Sequence, residues 1–187
     1  PGYIKTDGPT LGAEIYKQVE NLNIEYLFDK VVKADLKSEE KKVYTLNNEL
    51  TCKYLIIATG RLSKKLFNDD ERYAGQGISY CALCDGNLYK GKDVAVVGGG
   101  NSALEEALYL SDICKSVTII HRSETFRGDR SLVDNVLSKS NIKCVYNSNI
   151  AEYNIENGKL TSVTLDNNEK IDVSGLFIAI GSVPSAE

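Results

Sequence analysis

Residues 81–86 read Cys-Ala-Leu-Cys-Asp-Gly. Two cysteines with two residues between them can close a small redox disulfide. One thiolate attacks a partner disulfide and the other resolves the mixed intermediate. Asp85 follows Cys84 directly and is placed to exchange a proton with a thiol. The alternatives are a zinc half-site or an incidental pair. Zinc needs about four ligands, no second closely spaced cysteine pair is present, and His121 is the single histidine. Redox chemistry therefore leads.

One short strand later the chain reads Gly98-Gly99-Gly100-Asn101-Ser102-Ala103, directly after the apolar run Val94-Ala95-Val96-Val97. Strand, Gly-x-Gly-x-x-Ala and helix form the dinucleotide-binding pattern. Gly98 permits the tight turn, Gly100 lets the backbone approach a pyrophosphate, and Ala103 lets helix and strand pack closely. The N–H groups of Asn101, Ser102 and Ala103 then open a helix, where an anion is favoured. A second apolar strand, 116–120, is followed by His121-Arg122-Ser123, with Arg127 and Arg130 beyond. An NAD site would normally carry Asp or Glu there for the ribose 2′-OH. Guanidinium groups can instead hold a 2′-phosphate by two prongs. Arg122 and Arg127 thus point to NADPH, and solvated surface charge is the alternative. His121 reads as a neighbour of the phosphate or as a structural residue. A dithiol beside a nicotinamide site implies transfer of reducing equivalents from a nucleotide to a disulfide.

These residues need a scaffold of alternating elements. Leu11, Ile15 and Val19 recur four apart, so 10–21 reads as an amphipathic helix. Helices are expected also at 102–112 and 131–139. Strands are expected at 24–28, 54–58, 93–97, 116–120, 142–146 and 176–180. Residues 31–36 and 42–46 read as an antiparallel ribbon. Residues 150–155 and 160–165 flank Asn157-Gly158, a strong hairpin turn. Gly75 and Gly77 mark a hinge-like segment. Strands alternating with helices imply an α/β fold with a parallel sheet covered on both faces.

The two halves repeat each other. Thr45-Leu46-Asn47-Asn48-Glu49 precedes Leu55-Ile56-Ile57-Ala58-Thr59-Gly60, and Thr164-Leu165-Asp166-Asn167-Asn168-Glu169 precedes Leu176-Phe177-Ile178-Ala179-Ile180-Gly181. Gly60 and Gly181 are 121 positions apart. The same offset back from Gly98 falls before residue 1. The first half is therefore expected to have its own Gly-rich turn upstream. The chain contains no Met, so it is expected to be part of something longer.

The 187 residues are 42% hydrophobic and 26% charged, with net charge −4. This mild acidity gives no support for nucleic-acid or membrane-surface binding, and no apolar run approaches the ~20 residues of a membrane span. No signal peptide is visible at the start. Cys52, Cys114 and Cys144 lie in apolar segments as reduced thiols would, which fits a cytoplasmic setting.

The chain resembles low-molecular-weight bacterial thioredoxin reductase, a flavoprotein. The resemblance is carried by Leu55-Ile56-Ile57-Ala58-Thr59-Gly60, by 81–86, by the run 94–110 with its Glu105-Glu106-Ala107, by His121-Arg122 with Phe126-Arg127, and by 176–181 with Pro184. It implies nested dinucleotide-binding (Rossmann-like) domains of the two-dinucleotide-binding flavoprotein type, each a parallel sheet with an antiparallel β-ribbon. Residues 1–74 would belong to a split FAD domain, 75–181 to an NADPH domain carrying the dithiol, and 182–187 to the return segment. FAD would relay hydride from NADPH to the disulfide, with a rotation of the domains between the two steps. Cys84 would be the flavin-side sulfur, Asp85 the proton donor, thioredoxin the partner and a homodimer the whole protein's state. Thr59, Gly60 and Gly181 count with the cofactor-binding residues. Ser123 departs from the family's second arginine, which weakens the expected hold on the 2′-phosphate. Two alternatives stand beside this reading: the flavoprotein subunit of a peroxide-reducing system, and a nucleotide-binding module inactive by itself.

Overall fold

Val94-Ala95-Val96-Val97 has no polar side chain to turn toward water, so both faces of this strand need cover. The computed structural model describes residues 6–68 and 70–185, which fall into two compact units, Pro1–Ile57 and Ala58–Glu187.

In the smaller unit, helix α1 (Gly8–Asn21) starts where Asp7 caps it, Oδ1 accepting from the Thr10 N–H at 2.8 Å. Strands β1 (Val31–Asp35), β2 (Lys41–Thr45) and β3 (Glu49–Cys52) form an antiparallel sheet. This is the ribbon read from the sequence with one further strand. Asp29 organises its turn. Its carboxylate accepts from Thr45 Oγ1 at 2.6 Å and Asn48 Nδ2 at 3.0 Å. These bonds, the Thr45 hydroxyl first, hold its pKa down at about 2.

Residues 24–28 and 54–58 are not strands, although their apolar runs have strand length. A strand forms only where a neighbour takes its ladder hydrogen bonds, and no described residue pairs with either run. Phe28, Tyr54 and Ile56 are about nine-tenths exposed.

The larger unit begins with β4 (Arg61–Ser63), a 3₁₀ turn (Asp70–Tyr73), β5 (Ile78–Ser79), the one-turn helix α2 (Ala82–Asp85) and a second 3₁₀ turn (Gly86–Tyr89). Then come β6 (Asp93–Val97), α3 (Asn101–Ile113), β7 (Ser116–Ile120), α4 (Arg130–Ser138) and β8 (Ile142–Val145). Strands β9 (Ile150–Glu156), β10 (Lys159–Leu165) and β11 (Lys170–Asp172) form a second three-stranded antiparallel sheet, and β12 (Gly175–Ile178) and β13 (Ser182–Pro184) follow. Asn157 and Gly158 both have positive φ, 52° and 74°, as the tight turn between β9 and β10 requires.

The central sheet has the order β5-β12-β6-β7-β8 and is parallel throughout. Alternate residues of β6 serve opposite faces. Val94 and Val96 pack with Leu104, Ala107 and Leu110 of α3, and with Phe177 and Val136. Ala95 and Val97 pack with Leu160, Val163 and Leu165 of β10. The sheet is thus covered by helices on one face and by the antiparallel ribbon on the other, an α/β Rossmann-like arrangement. Each fully buried Leu contributes about 1.5–3 kcal/mol.

Phe177 is fully buried, its ring edge-on to Tyr89 with centroids 5.4 Å apart. Phe177→Ala is expected to cost about 3–5 kcal/mol, read as the fall in urea midpoint at unchanged slope.

Candidate active site

The turn between β6 and α3 is built by close approach. Gly98 has φ +148°, and a Cβ added there would lie 2.4 Å from the Ala179 carbonyl oxygen and 2.8 Å from Ala103 Cβ. Only glycine lets β6, the end of β12 and α3 meet so tightly. Gly100 has no atom within 4 Å of such a Cβ, so the space beside it is open. No side chain caps α3 at Gly100. Its exposed first turn, carrying Asn101 and Ser102, faces that space with the positive end of the helix dipole. A pyrophosphate fits this arrangement. The strand order reverses here as well, since the chain runs outward from β6 to β8 and returns on the other side as β12. Ligands of open α/β sheets bind at such a point.

Asn101 does not cap its own helix. Its amide donates to Asp129 Oδ2 at 2.9 Å, and its carbonyl oxygen accepts the Asp129 N–H at 2.8 Å, joining the starts of α3 and α4.

His121 is buried beneath the turn. A Cβ on Gly99 would come 2.3 Å from its ring. Its Nε2 lies 3.0 Å from the Thr125 carbonyl oxygen. A carbonyl only accepts, so the proton sits on Nε2. Burial first, then the charges of Arg127 and Arg122, push the His121 pKa below its ordinary value. It is a neutral wedge. The loop it supports returns to the turn through the Arg127 N–H, 2.7 Å from the Gly99 carbonyl oxygen. The side chains of Arg122 and Arg127 are exposed, and neither is ion-paired among the described residues.

The dithiol is closed, with Cys81 and Cys84 joined in a disulfide. Cys81 is the N-cap of α2, its Sγ accepting the Cys84 N–H at 3.2 Å. The Asp85 carboxylate accepts from Ser79 Oγ at 2.7 Å. Of the other cysteines, Cys114 is buried and Cys52 and Cys144 are half-buried. All three are free.

Sequence reasoning missed Ser79 and Glu106. Glu106 lies on α3, half-buried beside the Ala82 amide at the start of the dithiol helix, and its Oε2 is buried without a hydrogen bond. Burial pushes its pKa up to about 7. Helix α3 therefore touches both features. Its first turn faces the dinucleotide space, and its side, about 8 Å further along at 1.5 Å per residue, carries the dithiol turn.

Gly60 and Gly181 stand at the ends of a short two-stranded ribbon, with Thr59 just before it. Strands β4 and β13 pair antiparallel, Leu62 opposite Val183. The Lys64 N–H reaches the Gly181 carbonyl oxygen at 2.9 Å, and the Ser185 N–H reaches that of Gly60 at 3.1 Å. Gly60 and Gly181 both have positive φ, 75° and 99°. Gly181 stands two residues beyond Ala179, which touches the Gly98 turn.

A profile of the pyridine nucleotide-disulphide oxidoreductases matches residues 3–187. The thioredoxin reductase of Escherichia coli O157:H7 is 39% identical over 188 residues, which are 95% of this chain and 59% of that protein. A Pseudomonas fluorescens protein named glucosaminate ammonia-lyase is 40% identical over 189 residues, 95% of this chain and 58% of its own. Among solved structures, the Lactococcus lactis thioredoxin reductase superposes with TM-score 0.81 at 33% identity, covering 100% of this chain and 63% of that one. The chain belongs to the pyridine nucleotide-disulphide oxidoreductase family. It spans about 60% of the length of these relatives.

The Glu106 geometry gives a pH dependence. A carboxyl raised from 4.5 to about 7 favours the fold while protonated. That contribution is complete below the unfolded value and is lost as pH rises through about 7. The melting temperature is therefore expected to fall between pH 5 and pH 8. Glu106→Gln, neutral throughout, should flatten that fall. An equal fall in both proteins would refute the assignment.

Proposed function

We propose that this chain is the central part of a thioredoxin reductase, which passes two electrons from NADPH through FAD to the Cys81–Cys84 disulfide and on to thioredoxin. The observation that carries the reading is the closed dithiol braced against the same helix whose first turn opens on the dinucleotide space.

In this reading 98–103 binds the pyrophosphate of NADPH, with the Asn101, Ser102 and Ala103 amides as donors. Arg122 and Arg127 hold the 2′-phosphate as exposed, unpaired guanidinium groups can. His121 stays neutral and keeps their loop against Gly99. The nucleotide domain proper runs over 75–181, with 182–187 leading away from it. FAD, when bound to the whole protein, supplies the conversion of hydride chemistry to thiol chemistry. Residues 1–74 are read as part of the FAD domain, although among the described residues 6–57 no Gly-rich turn joins strand to helix. Asp85 gives the proton that a released sulfur needs. Thioredoxin as partner, a homodimer and a cytoplasmic setting belong to the same proposal. The three free thiols suit a reducing compartment, and no helix among the described residues is long and apolar enough to cross a membrane.

Two experiments test it. In the whole protein, Cys81→Ser or Cys84→Ser should abolish thioredoxin reduction while NADPH still bleaches the flavin. Near-normal turnover in either variant would overturn the dithiol assignment. In the chain itself, Arg122→Ala or Arg127→Ala should weaken NADPH binding roughly ten- to a hundredfold, the scale of one lost charge-assisted contact, and leave NADH binding little changed. Equal losses for both nucleotides would remove the 2′-phosphate role. Ser123→Arg should sharpen the preference.

A further inference from the structure

Ser79 ends β5 two residues before Cys81, and it is buried. Its hydroxyl makes three contacts. Oγ lies 2.7 Å from Asp85 Oδ2, accepts the Cys81 N–H at 3.1 Å, and lies 3.3 Å from the Cys81 carbonyl oxygen. A hydroxyl has one proton to give. The carboxylate is the nearer acceptor, so the hydroxyl donates its hydrogen bond there. The Cys81 amide then uses a hydroxyl lone pair. The same residue gathers further bonds, since the Cys84 and Asp85 amides both donate to the Cys81 carbonyl oxygen, at 3.2 and 3.1 Å. Among the described residues the Asp85 carboxylate has no other hydrogen bond, so without Ser79 two free torsions would let this half-buried side chain swing toward water.

We propose that Ser79 is a positioning residue for the disulfide chemistry: it holds the Asp85 carboxyl one hydroxyl away from the Cys81 main chain, so that the sulfur released at Cys81 is protonated by Asp85. The inference rests on the reading of Asp85 as proton donor. The sulfurs are unequal in exposure, Cys84 being open and Cys81 half-buried. A thiolate of an external dithiol such as dithiothreitol attacks Cys84 Sγ. A mixed disulfide forms, the Cys81–Cys84 bond breaks, and its electron pair leaves on Cys81 Sγ. The Asp85 carboxylate takes a proton from water and passes it to that sulfur. The second thiolate of the reductant then closes the reductant's own disulfide. Cys84 Sγ leaves with its electron pair and takes a proton from water. Two electrons have passed from the reductant to the cysteine pair. The Cys84 N–H, 3.2 Å from Cys81 Sγ, is already aimed at the sulfur on which the first negative charge develops.

The test uses the chain itself and the rate of its disulfide reduction by dithiothreitol, read by acid quench and thiol alkylation, with melting curves alongside. Asp85→Asn is expected to slow reduction. Ser79→Ala should slow it about tenfold, the scale of one charge-assisted hydrogen bond. Ser79→Thr, which restores the hydroxyl, should return the rate to within about twofold. Adding Ser79→Ala to Asp85→Asn should slow it no further, because Ser79 acts through Asp85. Should Ser79→Ala lower the melting temperature markedly, Ser79→Gly, which also lacks the hydroxyl, is compared with Ser79→Thr at a temperature where both are folded. A wild-type rate in Ser79→Ala with a slow Asp85→Asn overturns the inference and leaves Asp85 standing. Independent, multiplying losses overturn it as well. A wild-type rate in Asp85→Asn overturns the proton-donor reading and the inference with it.

Discussion

The approach of Gly98 to the Ala179 carbonyl and to Ala103 is the constraint on which the larger unit depends. Three elements meet there: the end of β6, the end of β12 and the first turn of α3. Any side chain at Gly98 would push them apart by more than a packed interior can absorb. Their closeness sets the start of α3 over the carboxyl edge of the sheet, and that leaves open space at Gly100. His121 repeats the device one layer below, its ring filling the room that the missing side chain of Gly99 leaves. The open space at Gly100 is therefore a consequence of backbone packing more than of any particular polar side chain.

Helix α3 transmits this placement to the sulfur chemistry. Its apolar stripe, Leu104, Ala107 and Leu110, is fully buried against the sheet and fixes its rotation. That rotation brings Glu106 to the Ala82 amide and Tyr109, Leu110 and Ile113 within touching distance of Gly86. A helix packed so closely moves as one body, so the dithiol turn and the dinucleotide turn keep their relation through the same hydrophobic contacts that stabilise the fold. The cost is a carboxyl with one buried, unpartnered oxygen, whose burial raises its pKa to about 7 and so favours the neutral form.

The internal repeat has a physical expression beyond two similar ribbons. Arg61, Leu62 and Ser63 pair with Pro184, Val183 and Ser182, and each residue's counterpart at the 121-residue offset lies in the opposite strand. The segment thus pairs with its own copy about a local two-fold. Arg61 reaches its counterpart directly, donating to Ser182 Oγ at 2.6 Å and to the Ser182 carbonyl oxygen at 2.7 Å. Gly60 and Gly181 turn the chain into this ribbon from equivalent positions.

Local chemistry was legible from the residues alone. The Cys81–Cys84 pair, the Gly-rich turn, strands 93–97 and 116–120, the helix expected at 102–112 and found at Asn101–Ile113, and the Asn157-Gly158 hairpin are each specified by neighbours in sequence, because torsional preference and periodicity act within a turn or two. The expected strands at 24–28 and 54–58 show the limit. Their composition is right, yet a strand is a property of a pair, and the ladder partner is not written in the run itself. Ser79 and Glu106 lay hidden for the same reason. A serine two residues before a cysteine, or a glutamate in an amphipathic helix, is ordinary. Only the fold aims the Ser79 hydroxyl at Asp85 and seats the Glu106 carboxyl under the Ala82 amide. Sequence alone determined which groups could carry electrons, protons and phosphate. Tertiary packing decided which of them face one another and which are desolvated, since burial and orientation arise from residues far apart in the chain meeting in space.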